Sequence, residues 1–495
     1  MAHTDGRPTD AALSAFERGN AAFDRGDWSA AEAAYREVLA RHPDYALARY
    51  NYGLLLLTTR RPQEAEHELR AVVAADPAFA EARVNLGAAL NQQRRYADAD
   101  EQFRAAVALG CALPELDLNR ATTLTELGQF AEAATLLGPL TTRPDFRTDA
   151  LVQLALVRLL EGRPEEAAEL YRALQRLGVR SADVRSNLGV ALLAAGRWAE
   201  GWIEYEARLE IDPNRQLPPG RLWSGENPAG RTILLDSEQG LGDLIQFVRF
   251  AEPLAARGAT VWLRCPAAAE ELMATQKGIA RVVRPPFPAF DYFLPLLSLP
   301  RLLGTTRENL PAGVPYLHAD SQRRAFWRAR LPRPGTLRVG VVWRGSGGFS
   351  RNYWRSIDLG ELAPLFHVAG VTFVSLQKGL GLDELARLGP TLGLHDLGPE
   401  YQAGSLADTA ALVAELDLVI SVDTSVAHLA GAMGRPCWVA LSQPLDWRWE
   451  RGTRTSRWYP SARLYRQRTL GQWESEIEEM RRDLERHRDE CAGRV

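Results

Sequence analysis

Three short strings in the C-terminal half carry residues suited to handling phosphate and moving a proton. Asp236-Ser-Glu-Gln-Gly-Leu-Gly-Asp243 reads as the end of a strand, a glycine turn and the start of a helix. Gly240 and Gly242 let the backbone turn tightly and admit a ligand close to it. Asp243 has two readings. At a helix start it is a favourable cap; facing a cleft it is a general base able to deprotonate a hydroxyl. The second string is Trp343-Arg-Gly-Ser-Gly-Gly348, with Arg351 and Arg355 beyond it. Glycines after a strand, beginning with Gly345, form an amide nest for phosphate, and the arginines supply charge-assisted forks. An exposed hairpin is the plain alternative. Lys378, with Gln377, ends the next strand, where it too is placed to reach a phosphate. The third string is Ile420-Ser-Val-Asp-Thr-Ser-Val-Ala-His-Leu-Ala-Gly-Ala-Met-Gly-Arg-Pro436. Asp423 ends an apolar strand, and Thr424 and Ser425 open a helix whose amides and dipole suit a diphosphate. His428 stands one turn in, as a ligand contact or a packing residue. This string is more specific than the other two.

The elements that hold these strings alternate. Strands are predicted at Thr232–Asp236, Thr260–Arg264, Leu337–Trp343, Val371–Leu376, Leu418–Val422 and Trp438–Leu441. Helical patterns at Asp243–Arg257, Leu359–Ala369, Ser405–Glu415 and Ser425–Gly434 lie between them. Such alternation predicts α/β architecture with parallel sheets of the Rossmann type. Ligands in such sheets bind beyond the carboxyl ends of the strands, where the three strings fall. Leu331-Pro-Arg-Pro-Gly335 reads as a linker dividing the region into two halves. The run from Asp446-Trp-Arg-Trp449 to Arg457-Trp-Tyr-Pro460 and Arg466 offers Trp447, Trp449 and Trp458, either to stack on a sugar or to pack where the halves meet. A charged helix at Gln472–Arg488 places Trp473, Ile477, Met480 and Leu484 on one stripe.

The N-terminal part is periodic. Gly19, Gly53, Gly87, Ala121, Ala155 and Gly189 recur every 34 residues, followed in register by Ala31, Ala65, Ala99, Ala133, Ala167 and Gly201. Tyr35, Leu69, Phe103, Leu137, Tyr171 and Tyr205 continue the pattern, and Pro43, Pro77 and Pro213 end three repeats. This is the tetratricopeptide spacing, two antiparallel helices per repeat, and predicts an α-solenoid with a concave partner-binding surface. Two residues before each small residue stands Glu17, Asn51, Asn85, Asn119, Gln153 or Asn187. Mid-helix asparagine needs a reason. Either it bonds within its own repeat, or its carboxamide faces the groove and grips an extended peptide backbone.

Composition bounds the rest. The chain has 495 residues, 46% hydrophobic and 24% charged, with a net charge of −3. That excludes a nucleic-acid or anionic-membrane footprint. Four scattered cysteines give neither a disulfide framework nor a metal site. The polar first residues lack a secretory signal, and no apolar run is long enough to span a bilayer, so a cytoplasmic protein is expected.

The asparagine column resembles the ladder of the eukaryotic protein O-GlcNAc transferases. The Asp423-Thr-Ser…His428 string resembles the donor-binding motif of the glycosyltransferase family containing the bacterial lipopolysaccharide heptosyltransferases. That likeness extends to the Gly-Leu-Gly-Asp turn and the basic stretch after Trp343. It implies a GT-B fold of two Rossmann-like lobes. It also implies a base at Asp243, donor phosphates held by the Arg351–Arg355 stretch and a diphospho-sugar met by Asp423, Thr424, Ser425 and His428. With Gly240, Gly242, Gly345 and Lys378 read above, these make the expected donor set. Where the family has a lysine near a Trp-Pro pair, this chain has Tyr353-Trp354-Arg355-Ser356; an arginine fork is not an ammonium. The expected layout is six repeats over 12–215 and an acceptor-side lobe over 222–331. A nucleotide-sugar lobe over 336–470 follows, then a terminal amphipathic helix over 471–495, which the resemblance places back across the first lobe. The expected activity is inverting, metal-independent transfer from a nucleotide-diphosphate-sugar, a UDP-sugar foremost, with no other cofactor. The acceptor would be a polypeptide held by Asn51, Asn85, Asn119 and Asn187. A lipid-linked or surface saccharide acceptor, or a non-catalytic adaptor, are the alternatives.

Overall fold

The computed structural model describes residues 9–212, 214–332, 337–348, 351–444 and 446–492. Pro213, residues 333–335 of the second linker, residue 336 and residues 493–495 fall outside the described residues. The chain forms two compact units: residues up to Arg158 with Ala173–Val179, and Leu159–Arg172 with everything from Arg180 on. The division thus falls within the fifth repeat.

In the first unit the helices come in pairs: Asp10–Asp24 with Trp28–Arg41, Ala46–Thr58 with Pro62–Ala75, Ala80–Gln92 with Tyr96–Ala108, and Pro114–Glu126 with Phe130–Leu140. The small residue of each first helix is small because a large partner fills its space. A Cβ on Gly19, Gly53 or Gly87 would stand 2.7, 2.8 or 2.5 Å from Tyr35, Leu69 or Phe103. The turn between paired helices has its own period, which the sequence reading missed. Gly26, Arg60, Arg94, Gly128, Gly162 and Gly196 all take left-handed φ, between 58° and 78°. Glycine adopts this freely, whereas the two arginines carry a cost of roughly 1–2 kcal/mol.

The second unit ends the repeats with the helices Ala182–Ala194 and Trp198–Tyr205 and then builds two sheets. The first comprises β1 (Thr232–Asp236), β2 (Thr260–Arg264), β3 (Arg281–Val282) and β4 (Tyr292–Pro295), in the order β3-β2-β1-β4. The second comprises β5 (Leu337–Val342), β6 (Val371–Ser375), β7 (Leu394–His395), β8 (Leu418–Val422), β9 (Cys437–Leu441) and β10 (Ala462–Arg466). Its order is β10-β9-β8-β5-β6-β7. Every strand pair is parallel. The second sheet has the classic doubly wound order in full and the first has its first four strands. The chain is therefore a tetratricopeptide solenoid followed by an α/β region on the two-Rossmann GT-B plan.

The six expected strands are present, some a residue shorter or longer. The helix expected at Asp243–Arg257 begins at Leu241 and passes through a 3-10 turn at Val248–Phe250. Pro253 has no N–H to give the Arg249 carbonyl, so one continuous helix cannot form there. The pattern at Leu359–Ala369 yields only Ala363–Phe366 as helix, with Pro364 in its first turn.

Alternate residues along the second sheet divide between two cores. Val374, Val419 and Val439 face a core shared with the first sheet, and Trp198 and Trp202 of the last repeat join it. Phe373, Ile420 and Trp438 face the other core, which Trp473, Ile477, Met480 and Leu484 close. Ile477, Met480 and Leu484 lie on the terminal helix Glu474–Ala492, and Trp473 stands just before its first residue. The stripe is as expected but its place is corrected: the helix covers the second lobe, with Arg488 donating to the Ala369 carbonyl. Among the described residues, no helix is long and apolar enough to cross a membrane.

Candidate functional site

The strand order fixes where a ligand belongs. β5 and β8 are neighbours from which the connections run to opposite edges of the sheet, and the crevice beyond their carboxyl ends is the switch point. Trp343–Gly345 leaves β5 there and Asp423 leaves β8 there, so two of the three strings meet at the crevice. Gln377 fixes the first: its Oε1 accepts from the amides of Trp343 and Arg344 at 3.0 and 2.9 Å, and its Nε2 donates to the Arg344 carbonyl. Gly345 lies under the side chains that follow. A Cβ on it would stand 2.1 Å from Asn352 Oδ1 and 2.6 Å from Arg355 Nε. Asn352 donates to the Gly345 carbonyl and accepts from Arg355 Nε at 3.1 Å, which orients that guanidinium.

On the β8 side, Thr424 caps the helix Ser425–Ala432, accepting from the Val426 amide at 3.3 Å, and shares a 2.9 Å hydrogen bond with Ser421. His428 is 5% exposed, its Nδ1 2.9 Å from the Tyr459 hydroxyl and its ring 5.1 Å from the Trp449 ring. Burial, reinforced by Arg448, drives His428 down to about 3, so its imidazole is neutral. The 3.7 Å approach of its Nε2 to Asp423 Oδ1 is then no ion pair. Burial pushes Asp423 up to about 6; the Asp446 charge adds to this, and Arg355 and Arg448 oppose it.

The third string arrives from the first lobe. Gly240, not Asp243, is the N-cap of the helix Leu241–Phe247. Asp243 sits one turn in and Oδ2 accepts the Gly240 amide at 3.2 Å, so it does satisfy a helix end. Its Oδ1 accepts from Arg448 Nη2 at 2.6 Å. Gly242 is pressed against the second lobe: a Cβ there would stand 3.0 Å from His428 Cδ2. Gly242, the neighbour of Asp243, thus meets His428 across the two lobes, and Asp243 itself meets Arg448.

Two expected site residues make contacts of their own. Lys378 donates to the Gly404 carbonyl at 2.7 Å and lies 4.3 Å from the Tyr401 ring centroid, and burial lowers its pKa. The Arg351 guanidinium stands 4.8 Å from the Trp354 ring centroid. In the asparagine column, Asn51 donates to Asn20 at 2.8 Å and Asn85 to the Tyr50 hydroxyl at 3.0 Å, each reaching the preceding repeat. Asn119 accepts from Asn91 through its backbone carbonyl, and Asn187 is half-buried. Trp447, Trp449 and Trp458 are 3%, 1% and 0% exposed, so they pack rather than offer a stacking face. Trp447 and Trp458 lie against Trp202 and Trp198 of the last repeat, with ring centroids 5.4 Å apart in each pair. The sequence reading missed Arg448 and Tyr459. Arg448 lies between Trp447 and Trp449, and the two tryptophans drew the attention.

With this geometry in place, comparison with known proteins is specific. A tetratricopeptide repeat family model matches residues 16–69, 53–111, 118–178 and 161–215. The model of glycosyltransferase family 9 (heptosyltransferase) matches residues 396–444, which include β8, Asp423, His428 and β9. Protein FlbA of Caulobacter vibrioides is 29% identical over 372 residues, covering 68% of this chain. The chain spans 61% of the length of that curated relative. Among solved structures, PilW, a widely conserved type IV pilus biogenesis factor, is 22% identical, covering 42% of this chain and 96% of its own with a TM-score of 0.38. YrrB, a tetratricopeptide protein with an unusual peptide-binding site, is 20% identical over 37% of this chain and 94% of its own, with a TM-score of 0.31.

Proposed function

We propose that this chain is a glycosyltransferase moving a sugar from a nucleotide-diphosphate-sugar, a UDP-sugar foremost, to a polypeptide held by the repeats. The carrying observation is that Asp243 of one lobe is bonded by Arg448 of the other, whose charge reaches Asp423 and His428 at the crevice beyond β5 and β8. Asp423, Thr424 and His428 lie within residues 396–444, which the glycosyltransferase family 9 model matches. In this reading the acceptor hydroxyl attacks the anomeric carbon as its proton passes to Asp243. The bond from that carbon to the phosphate oxygen breaks, and its electron pair leaves with the nucleoside diphosphate. Arg355 and the first-turn amides of Ser425–Ala432 take up the leaving charge. Attack from the face opposite the leaving group inverts the anomeric centre.

One observation favours the adaptor reading. Both Asp243 oxygens already accept hydrogen bonds, from Gly240 and Arg448. Transfer from a radiolabelled nucleotide-sugar panel into protein acceptors decides between the two. Asp243→Asn should lower turnover at least about 100-fold while nucleotide still binds. Equal turnover in the variant removes the base assignment, and nucleotide binding with no turnover in the wild type supports the adaptor.

A further inference from the structure

Among the described residues, Arg448 bonds the candidate base while its charge reaches the candidate donor residues. Its Nη2 donates to Asp243 at 2.6 Å and its Nη1 to both oxygens of Asp446 at 3.2 and 3.1 Å. Its guanidinium stands 4.5 Å from the Trp447 ring centroid, which fixes the plane of the fork. Its Nε–H is buried and has no hydrogen-bond partner among the described residues. A buried donor left unmade is costly, so a ligand oxygen that met it would be held firmly. The charge of Arg448 is also felt at Asp423 and His428, at the start of the helix assigned to the diphosphate.

The charges around it set up a competition. Asp243, Asp423 and Asp446 face two arginines, Arg355 and Arg448. A diphosphate entering this site adds negative charge, and the cations must be shared out again. A phosphate matches the planar arginine fork in the same bidentate way as a carboxylate, with more charge. Asp243 is the weaker competitor, being a single carboxylate that also serves the Gly240 amide.

From this geometry, and resting on the transferase reading above, we infer that Arg448 leaves Asp243 for the donor diphosphate, so that donor binding is what releases the base. Donor and base are then coupled, and donor binds before acceptor. The coupling must be reciprocal: whatever weakens the Asp243–Arg448 pair must strengthen diphosphate binding.

Isothermal titration of the full chain with UDP, GDP, ADP and dTDP tests this without needing turnover. Asp243→Asn should tighten the diphosphate that binds the wild type by roughly fivefold or more. Removing a negative charge could aid any anion, so the same change is repeated in an Arg448→Gln background, where the gain should vanish. If Arg448→Gln does not fold, Arg448→Lys replaces it: the ammonium lacks the fork, and the gain from Asp243→Asn should shrink. An unchanged or weakened affinity in Asp243→Asn overturns the inference and leaves the transferase reading standing. An equal gain with and without Arg448 overturns it as well. A wild type that binds none of the four diphosphates overturns both.

Discussion

Glu66 of the repeats accepts hydrogen bonds from Arg70, Gln93 and Arg95, and the two arginine side chains remain 51% and 41% exposed. Arg448 of the α/β region likewise serves two carboxylates, but its side chain is 12% exposed and that of Asp243 19%. The Glu66 cluster lies at a helix surface, where water reaches both arginines although Glu66 itself is 13% exposed. The Arg448 cluster is drawn in against tryptophan, where Arg448 and Asp243 each depend on the other. Arg95→Met should therefore cost little, because water screens the arginine and Glu66 keeps Arg70 and Gln93. Arg448→Met leaves the part-buried Asp243 without its cation, while water screens Asp446, which is 37% exposed. Its cost should be clearly larger, but below the roughly 3–5 kcal/mol of a fully buried pair. Urea melts of the two variants measure this, and equal costs would break the contrast. If two transitions appear, the Arg448→Met loss should fall in one of them.

The same contrast predicts different responses to acid. Unfolded, His428 titrates near its ordinary 6.5, but burial holds it near 3 in the fold. Between those values the unfolded chain binds a proton that the folded chain refuses, so the contribution of His428 falls as pH drops below about 6.5. Asp423 acts oppositely. Folded, it keeps its proton up to about 6 against an ordinary 3.8, so its contribution grows as pH falls through that window. In the repeats, Arg61 holds Glu64 below its ordinary 4.5. For Glu66, burial pulls upward, but Gln93, Arg70 and Arg95 together hold the carboxyl below the same value. Their contribution is lost only as pH falls below about 4.5. Calorimetric melts from pH 7.5 to 5 should show His428→Gln flattening the acid loss of the α/β unit and Asp423→Asn steepening it. Each change in slope is at most about 1.4 kcal/mol per pH unit for one proton. Repeats that weaken as early as the α/β unit would contradict this assignment.

Legibility divides along the same line. A 34-residue period repeats its signal, so each small-to-large pairing, such as Gly87 with Phe103, reinforces the others. The long apolar strands were equally plain, since strands buried on both faces read as continuous runs. β3 and β7 are two residues each, β4 ends on Pro295, and β10 lies within an aromatic-basic run, so none carried a pattern of its own. The strings at Asp243 and Asp423 could be read because a turn and a helix start are local. The Asp243–Arg448 bond joins residues 205 apart in sequence, a separation that no local spacing encodes. Arg60 and Arg94 show another limit, since an arginine gives no sign that it occupies a left-handed turn which glycine fills in neighbouring repeats.

The smallest expected effect concerns the asparagine column. Asn85 Nδ2 is spent on the Tyr50 hydroxyl of the preceding repeat, and no hydrogen bond to its Oδ1 is recorded among the described residues. If the column is structural only, Asn85→Ala removes one half-buried hydrogen bond and costs about 0.5–1.5 kcal/mol. Tyr50→Phe should cost the same, and the double variant little more, because both single changes break one bond. If the column also binds acceptor, Asn85→Ala must weaken peptide affinity while Tyr50→Phe leaves it nearly unchanged, since only the first removes a carbonyl offered to the ligand. Fluorescence anisotropy with a labelled acceptor peptide separates the cases. Equal affinity losses in the two variants would mean that the bond shapes the groove, and the repeats would then differ from the α/β site in holding their polar groups for the fold alone.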